Sequence, residues 1–119
     1  MPHLIFEHSS NIQEDIHYPD LLKSLHEIVS QLSVPSAIKS RAICHDHFRV
    51  GNGEPDRAFV HITVLLLTGR DHTQKKKLGE DLLSFLKEKF SLSYKNLNCD
   101  FTIAVEDINR DVYTKENSG

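Results

Sequence analysis

The sequence contains little of what marks several common protein classes. Its 119 residues include no tryptophan, only two cysteines and no long unbroken run of apolar residues. A helix needs about 20 mostly apolar residues to span a bilayer, so no membrane segment is expected. The start of the chain has no basic stretch followed by an apolar block, and no lipidation or retention signal ends it. These absences predict a cytosolic protein.

Cofactor and nucleic-acid signals are also missing. Cys44 and Cys99 are too few and too far apart to suggest a disulfide framework or a zinc ribbon. The net charge of −3 argues against a nucleic-acid partner, which would require a basic surface. The run Lys75–Lys77 is followed by Glu80 and Asp81 in a predicted helix, which favours a solvated helix face. No glycine-rich phosphate loop or dinucleotide fingerprint occurs, so no cofactor is expected.

The composition and the length of the chain predict one domain over residues 1–119. A hydrophobic fraction of 39% and a charged fraction of 26% are typical of a soluble globular chain. A chain of this length builds a single core.

In the first half of the chain, the pattern predicts strand, helix, strand. The first strand covers about Pro2 to His8, because the run is apolar and β-branched. Proline and an acid in the first turn favour a helix that starts at Tyr18–Asp20. Apolar residues at steps of three and four extend this helix to about Leu32. Residues 39 to 50 alternate as a second strand, whose cationic face carries Arg41, His45, His47 and Arg49.

After a turn at Gly51–Gly53 the same order returns. A strand from about Arg57 to Thr68 is apolar on both faces, with Val60, Ile62, Val64 and Leu66 on one and Phe59, Leu65 and Leu67 on the other. Asp71 or Thr73 is the expected N-cap of the second helix. Its apolar stripe is Leu78, Leu82, Leu86 and Phe90. A last strand covers about Cys99 to Val105, and the polar residues 115–119 fray or pack on a neighbouring subunit.

This order predicts an α+β fold made of a pseudo-two-fold β-α-β-β-α-β repeat, with two helices on one face of a four-stranded sheet. The opposite face needs cover, which in so short a chain has to come from another subunit. A ferredoxin-like monomer is the alternative.

Pro2 is the sharpest chemical candidate. Methionine before so small a residue is normally removed, which would leave Pro2 with a free secondary amine. Burial or nearby cations lower the pKa of an amino group, and a base with a pKa near the working pH can both remove and return a proton. A retained Met1 would instead make this nitrogen an amide, and many chains begin Met-Pro with no catalytic purpose.

The eight histidines suggest a metal alternative. His45 and His47 would share one face of the second strand as zinc or copper ligands, but a third and a fourth ligand are missing. His8 or His61 could complete the set only through a geometry that the sequence does not give. We therefore expect no metal site. His3 and His61 are more simply explained as hydrogen-bonding residues near the proline.

Four segments together resemble the 5-carboxymethyl-2-hydroxymuconate delta-isomerase family of the tautomerase superfamily, which also includes 4-oxalocrotonate tautomerase and macrophage migration inhibitory factor. These segments are Pro2–Glu7, Ile38–Ala42, Ala58–Thr63 and Gly69–Arg70. Their order and spacing match over essentially the whole chain. The resemblance implies a homotrimer whose N-terminal proline acts as acid/base catalyst on a carboxylated muconate, in bacterial breakdown of aromatic acids.

The resemblance also implies site residues. Pro2 matches the catalytic proline, and Arg41 and Arg70 match arginines of the family's site, where a guanidinium can grip a carboxylate through two hydrogen bonds. Lys39 departs from the pattern, because relatives carry arginine there, and it offers only a point charge for substrate binding. The competing hypothesis is a binding or signalling module of the same fold, with weak tautomerase activity.

Overall fold

The computed structural model describes all 119 residues. The first half of the chain forms β1 (His3–Ser9), α1 (Tyr18–Val29) and β2 (Lys39–His45). The second half forms β3 (Arg57–Leu67), α2 (His72–Lys89), α3 (Ser91–Asn96) and β4 (Asn98–Ile108). Single 3-10 turns cover Pro35–Ala37 and Arg110–Val112. None of the helices combines the length and the apolar character needed to span a bilayer.

The four strands form one mixed sheet in the order β2-β1-β3-β4. The central strands β1 and β3 are antiparallel, and each pairs in parallel with the other strand of its own half. The two halves are thus related by an approximate two-fold arrangement. The predicted α+β fold, with its β-α-β-β-α-β repeat and four-stranded sheet, is confirmed.

The core lies between the sheet and the two long helices. Alternate residues of β1 and β3 face it, because successive side chains of a strand point to opposite sides. The helices contribute their predicted apolar stripes. The fully buried members include Leu4, Phe6, Leu21, Leu25, Val60, Ile62, Val64, Leu78, Leu82, Leu86 and Phe90. Burial of one such side chain stabilises the fold by about 1.5–3 kcal/mol.

A reciprocal cap starts α2 and settles the choice between the two predicted N-caps. The backbone N–H of Gln74 donates to Oδ1 of Asp71 at 2.8 Å, and the backbone N–H of Asp71 donates to Oε1 of Gln74 at 3.0 Å. Two N–H groups that have no helical partner are thereby satisfied. Asp71 is the N-cap.

Several element boundaries differ from the predicted ones. The helix α1 ends at Val29 instead of Leu32, and the six-residue helix α3 was not predicted. The strand β2 ends at His45 instead of continuing to residue 50, because its partner β1 ends at Ser9 and offers no further hydrogen bonds. The last strand runs further than expected, to Ile108, since it pairs with β3 along its whole length.

The side of the sheet away from the helices, called here the free sheet face, is only partly covered. Its residues in β3 are all half-buried, whereas the alternating residues of the core side are at most 1% exposed. Apolar side chains on it are Ile5, Ile43, Phe59, Leu65, Leu67, Ala104 and Ile108. Polar His61 and Thr63 separate them in the middle of β3. One chain therefore leaves a mixed, largely apolar surface without cover.

Candidate active site

Pro2 lies at the head of a central strand. It precedes β1 directly and is buried. Its carbonyl oxygen accepts a hydrogen bond from the backbone N–H of Lys39 at 3.0 Å, which extends the pairing of β1 and β2 by one residue. The position of Pro2 is thus fixed by the sheet and not by a loop.

The start of the chain is held by a short segment before β2. The Met1 ammonium donates to the carbonyl oxygen of Ala37 at 3.0 Å, and Oγ of Ser33 donates to the carbonyl oxygen of Met1 at 3.2 Å. Nζ of Lys39 donates to the same oxygen of Ala37 at 3.3 Å. Two cations therefore meet on one carbonyl beside Pro2.

This environment favours a neutral amino group. Burial lowers the pKa of the Met1 ammonium from its ordinary value. The charge of Lys39, its hydrogen bond and the charge of Lys115 lower that pKa further. These effects are those on the Met1 amine, and the Pro2 nitrogen is the next nitrogen along the chain.

Arg41 reaches this region through a histidine. Nη1 of Arg41 lies 3.2 Å from Nδ1 of His3, the residue that follows Pro2. Arg41 itself is exposed on β2. Burial lowers the pKa of His3, and the charges of Arg41, Lys39 and the chain terminus lower it further. The structure thus pairs Lys39 with Pro2 through the backbone and links Arg41 to His3, the residue that follows Pro2.

Arg70 is bound mainly to the backbone. Nη2 donates to the carbonyl oxygen of Leu32 at 2.6 Å, and Nη1 donates to that of Leu67 at 3.2 Å. Leu32 precedes Ser33, which holds Met1, so Arg70 reaches the chain start through the backbone rather than by direct contact. Gly69 has φ of 133°, a conformation that favours glycine and lets the chain turn out of β3.

The histidines considered as metal ligands are arranged differently from the prediction. His47 lies beyond the end of β2, so the two histidines do not share a strand face. Nε2 of His45 bonds to a carboxylate oxygen of Glu7 at 2.9 Å. The ring of His61 bonds to Thr102 and Thr63 at 2.6 and 3.0 Å, which places it in the middle of the free sheet face and away from Pro2. The structure contains no cluster of three metal-ligating side chains.

Pro2 and its neighbours line none of the larger cavities of this chain. An open groove of about 430 Å³ lies elsewhere, between α2 and β4, and is lined by His72, Lys76, Leu83 and Val105 among others. None of the residues around Pro2 lines that groove. The lysines and the glutamate of the groove form no convergent set. The candidate site is therefore identified by the chemistry of the residues at the start of the chain and not by the volume of this groove.

Sequence reasoning missed one side chain of this region. The hydroxyl of Tyr113 lies 3.0 Å from Nε2 of His3, although 110 residues separate them in the sequence. The available signal was weak, since Tyr113 is simply the one aromatic residue in a polar terminal stretch. Long-range contacts of this kind leave no periodic pattern.

The family profile of 5-carboxymethyl-2-hydroxymuconate isomerase matches residues 2–118. The 5-carboxymethyl-2-hydroxymuconate Delta-isomerase of Escherichia coli is 28% identical over 120 residues, which cover 99% of this chain and 95% of that protein. The crystal structure of a 5-carboxymethyl-2-hydroxymuconate isomerase from Deinococcus radiodurans R1 matches with a TM-score of 0.89 at 24% identity, over 98% of this chain and 90% of that one. A fused 4-OT wild-type symmetric trimer matches with a TM-score of 0.74 at 18% identity, over 97% of this chain and 92% of that one.

The profile covers almost the entire chain, and the solved structures share its fold. The chain belongs to the 5-carboxymethyl-2-hydroxymuconate isomerase family and is an enzyme of that family.

Proposed function

We propose that this enzyme moves a proton and a double bond in a carboxylated dienol such as 5-carboxymethyl-2-hydroxymuconate, in aromatic-compound catabolism, with Pro2 as the acid/base catalyst. The observation that carries the proposal is the position of Pro2. It is buried at the head of β1, where Lys39 bonds the neighbouring carbonyl of Ala37, Arg41 bonds the adjacent His3, and the pKa of the Met1 amine is lowered. Removal of Met1 turns its nitrogen into a secondary amine there.

The reaction follows from these groups. The neutral Pro2 nitrogen removes the proton of the dienol hydroxyl, and the enol oxygen becomes a ketone as the double bonds shift. The protonated Pro2 then delivers the proton to carbon at the far end of the conjugated system, so one O–H bond is exchanged for one C–H bond. The Arg41 guanidinium binds a substrate carboxylate and favours the developing negative charge. Lys39 adds a second positive charge next to the amine.

Arg70 has a double role in this proposal. A guanidinium has five N–H donors, of which two here reach backbone carbonyls. The remaining donors are available to a second carboxylate. The backbone contacts keep this side chain in one orientation, which lowers the entropy cost of binding.

We also propose that the enzyme works as a homotrimer that buries the free sheet face. The half-buried apolar side chains on that face support this, because a largely apolar surface without cover is typical of an interface. The similarity of fold to a symmetric trimer gives further support. Neighbouring subunits would also supply residues that complete a substrate pocket around Pro2.

The direct test is turnover by the purified protein. We expect ketonisation of 2-hydroxymuconate and phenylenolpyruvate, and isomerisation of 5-carboxymethyl-2-hydroxymuconate, followed by ultraviolet absorbance. The intact mass should correspond to a chain that starts at Pro2. A protein of that mass that binds these acids without converting them would be a binding module and would contradict the proposal.

The two arginines should differ in their effects. Arg41→Ala is expected to lower kcat/KM by about 30-fold, because a charged hydrogen bond is worth about 2 kcal/mol, with little change in Tm since Arg41 is exposed. Arg70→Ala should also lower the free energy of unfolding by about 2 kcal/mol, because two backbone carbonyls lose their donor. Steady-state kinetics and urea unfolding of both variants check this. Equal loss of stability in both would contradict the assignment.

A further inference from the structure

A chain of two hydrogen bonds joins three parts of the molecule beside Pro2. Nη1 of Arg41, on β2, lies 3.2 Å from Nδ1 of His3, on β1. Nε2 of the same imidazole lies 3.0 Å from the hydroxyl oxygen of Tyr113, which follows the last 3-10 turn. The rings of His3 and Tyr113 meet edge to face, with centroids 6.2 Å apart and an interplanar angle of 73°. The bond geometry and the ring packing fix Tyr113 against His3.

The chemistry of the donors fixes the direction of both bonds. A guanidinium can only donate, so Nδ1 of His3 has to accept and carries no proton. The proton of a neutral imidazole is then on Nε2, which donates to the oxygen of Tyr113. The hydrogen of the Tyr113 hydroxyl is consequently not used by His3. It remains available as a donor to another group.

The two hydrogen bonds require a neutral His3, and the surroundings of His3 favour that protonation state. Burial lowers its pKa, and the charges of Arg41, Lys39 and the chain terminus act in the same sense. Across β3, its strand neighbour is the apolar Leu65, and the only charged residue in that row on β4 is Glu106. A neutral imidazole is therefore favoured near neutral pH, and protonation would break the bond from Arg41.

The C-terminal segment, defined here as residues 109–115, returns to the start of the chain. Tyr113 is half-buried. Lys115 is close enough to act on the Met1 ammonium, whose pKa its charge lowers. The hydroxyl of Tyr113 thus bonds His3, the residue that follows the proposed catalyst Pro2. His3 also bonds Arg41, the proposed binder of a substrate carboxylate.

We infer that Tyr113 is a further substrate-binding residue that donates its hydroxyl hydrogen to a substrate carboxylate, and that His3 is the positioning residue that holds Tyr113 and Arg41 together. This inference rests on the proposed function. It makes the C-terminal segment part of the site. Arg41 and Tyr113 bond opposite nitrogens of the His3 ring, so they supply a charged and a neutral donor to different carboxylates of a di- or tricarboxylate.

The experiment uses two substitutions and their combination in the full-length mature protein. Tyr113→Phe removes only the hydroxyl, and it lies outside the sheet, so folding is retained. His3→Asn keeps an acceptor near the Nδ1 position for Arg41 but is too short to reach Tyr113. We expect each to raise KM about tenfold with kcat little changed, because the lost bond acts on the ground-state carboxylate. The double variant should be no worse than either single one.

Matched controls exclude a general effect of these substitutions. Tyr94→Phe alters an exposed tyrosine whose hydroxyl forms no hydrogen bond, and His47→Asn alters an exposed histidine outside the strands. Both should behave like the wild type. A purely structural role of His3 and Tyr113 would lower Tm without the selective change in KM.

Binding of cis,cis-muconate separates this inference from the proposed reaction. This dicarboxylate has no enol hydroxyl, so its Kd can be measured by titration whether or not the protein is an isomerase. Tyr113→Phe and His3→Asn should each raise the Kd about tenfold, and ring ¹H–¹⁵N spectra should show the His3 proton on Nε2. Unchanged Kd values, multiplicative effects or a proton on Nδ1 would overturn the inference. A wild type that binds muconate but converts no enol acid overturns only the reaction, and one that binds no muconate overturns both.

Discussion

Pro2→Ala is expected to lower kcat/KM by about 100-fold, while a protein that retains Met1 should be inactive. A positioned base contributes about 10²–10⁴-fold to a proton transfer. An alanine terminus still has an amine, but no ring holds its lone pair in one direction, so part of the advantage of a fixed geometry is lost. An amide nitrogen after Met1 has no basic lone pair at all. Stopped-flow or steady-state ketonisation assays on proteins of verified mass measure both effects.

The dependence of kcat/KM on pH also tests whether the neutral amine of Pro2 is the base. The active form of the nitrogen is the neutral one, so kcat/KM should rise with pH and level off above the pKa of the amine. Burial and Lys39 lower the pKa of the Met1 ammonium, and we expect them to act in the same direction on a free Pro2 amine. Pro55→Ala, in an exposed loop, is the matched control and should have wild-type kinetics. Full activity in the Met1-retaining protein would refute the role of Pro2.

Ala104→Arg is expected to convert the proposed trimer into single chains of 13.6 kDa. Ala104 lies on the free sheet face in β4, in register with Thr63 at the middle of the sheet. A long cationic side chain there can remain solvated in one chain, but burial between subunits would leave its charge unpaired, at a cost of several kcal/mol. Light scattering coupled to size exclusion measures the mass.

The dissociated chain should also lose most of its activity, since Pro2 lines none of the larger cavities of a single subunit. Ser84→Arg is the matched control, because Ser84 is exposed on α2 and faces away from the sheet. That variant should remain trimeric and active. A wild type that is monomeric at micromolar concentration, or an Ala104→Arg protein that stays trimeric, would contradict the proposed interface.

The local features of the fold were predictable because each depends on neighbouring residues. The helix stripes, the cap at Asp71 and the alternation in β3 follow from periodicity and from donor satisfaction within a few positions. Strand ends were harder to predict, because they depend on the length of the partner. His47 reads as a strand residue in sequence, but it has no partner once β1 has ended.

The candidate site was predictable only in part, for a similar reason. Pro2 is marked by its place in the chain, and Lys39, Arg41 and Arg70 by resemblance to a family. The contact between His3 and Tyr113 depends on where the C-terminal segment returns, and a polar segment has no apolar pattern that reveals its course. The attachment of Arg70 to two carbonyls likewise depends on the crossing of distant loops.

The central position of β1 has a consequence for synthesis of the protein. The first strand to leave the ribosome cannot be paired on both edges until Leu65, the β3 partner of His3, has also emerged. Until then Pro2 stays unburied, and the aminopeptidase that trims nascent chains has access to Met1. Once the sheet closes, the backbone N–H of Lys39 bonds the carbonyl oxygen of Pro2, and the ammonium of a retained Met1 bonds the carbonyl oxygen of Ala37. The proposed role of Pro2 therefore favours removal of Met1 during translation, before the sheet closes.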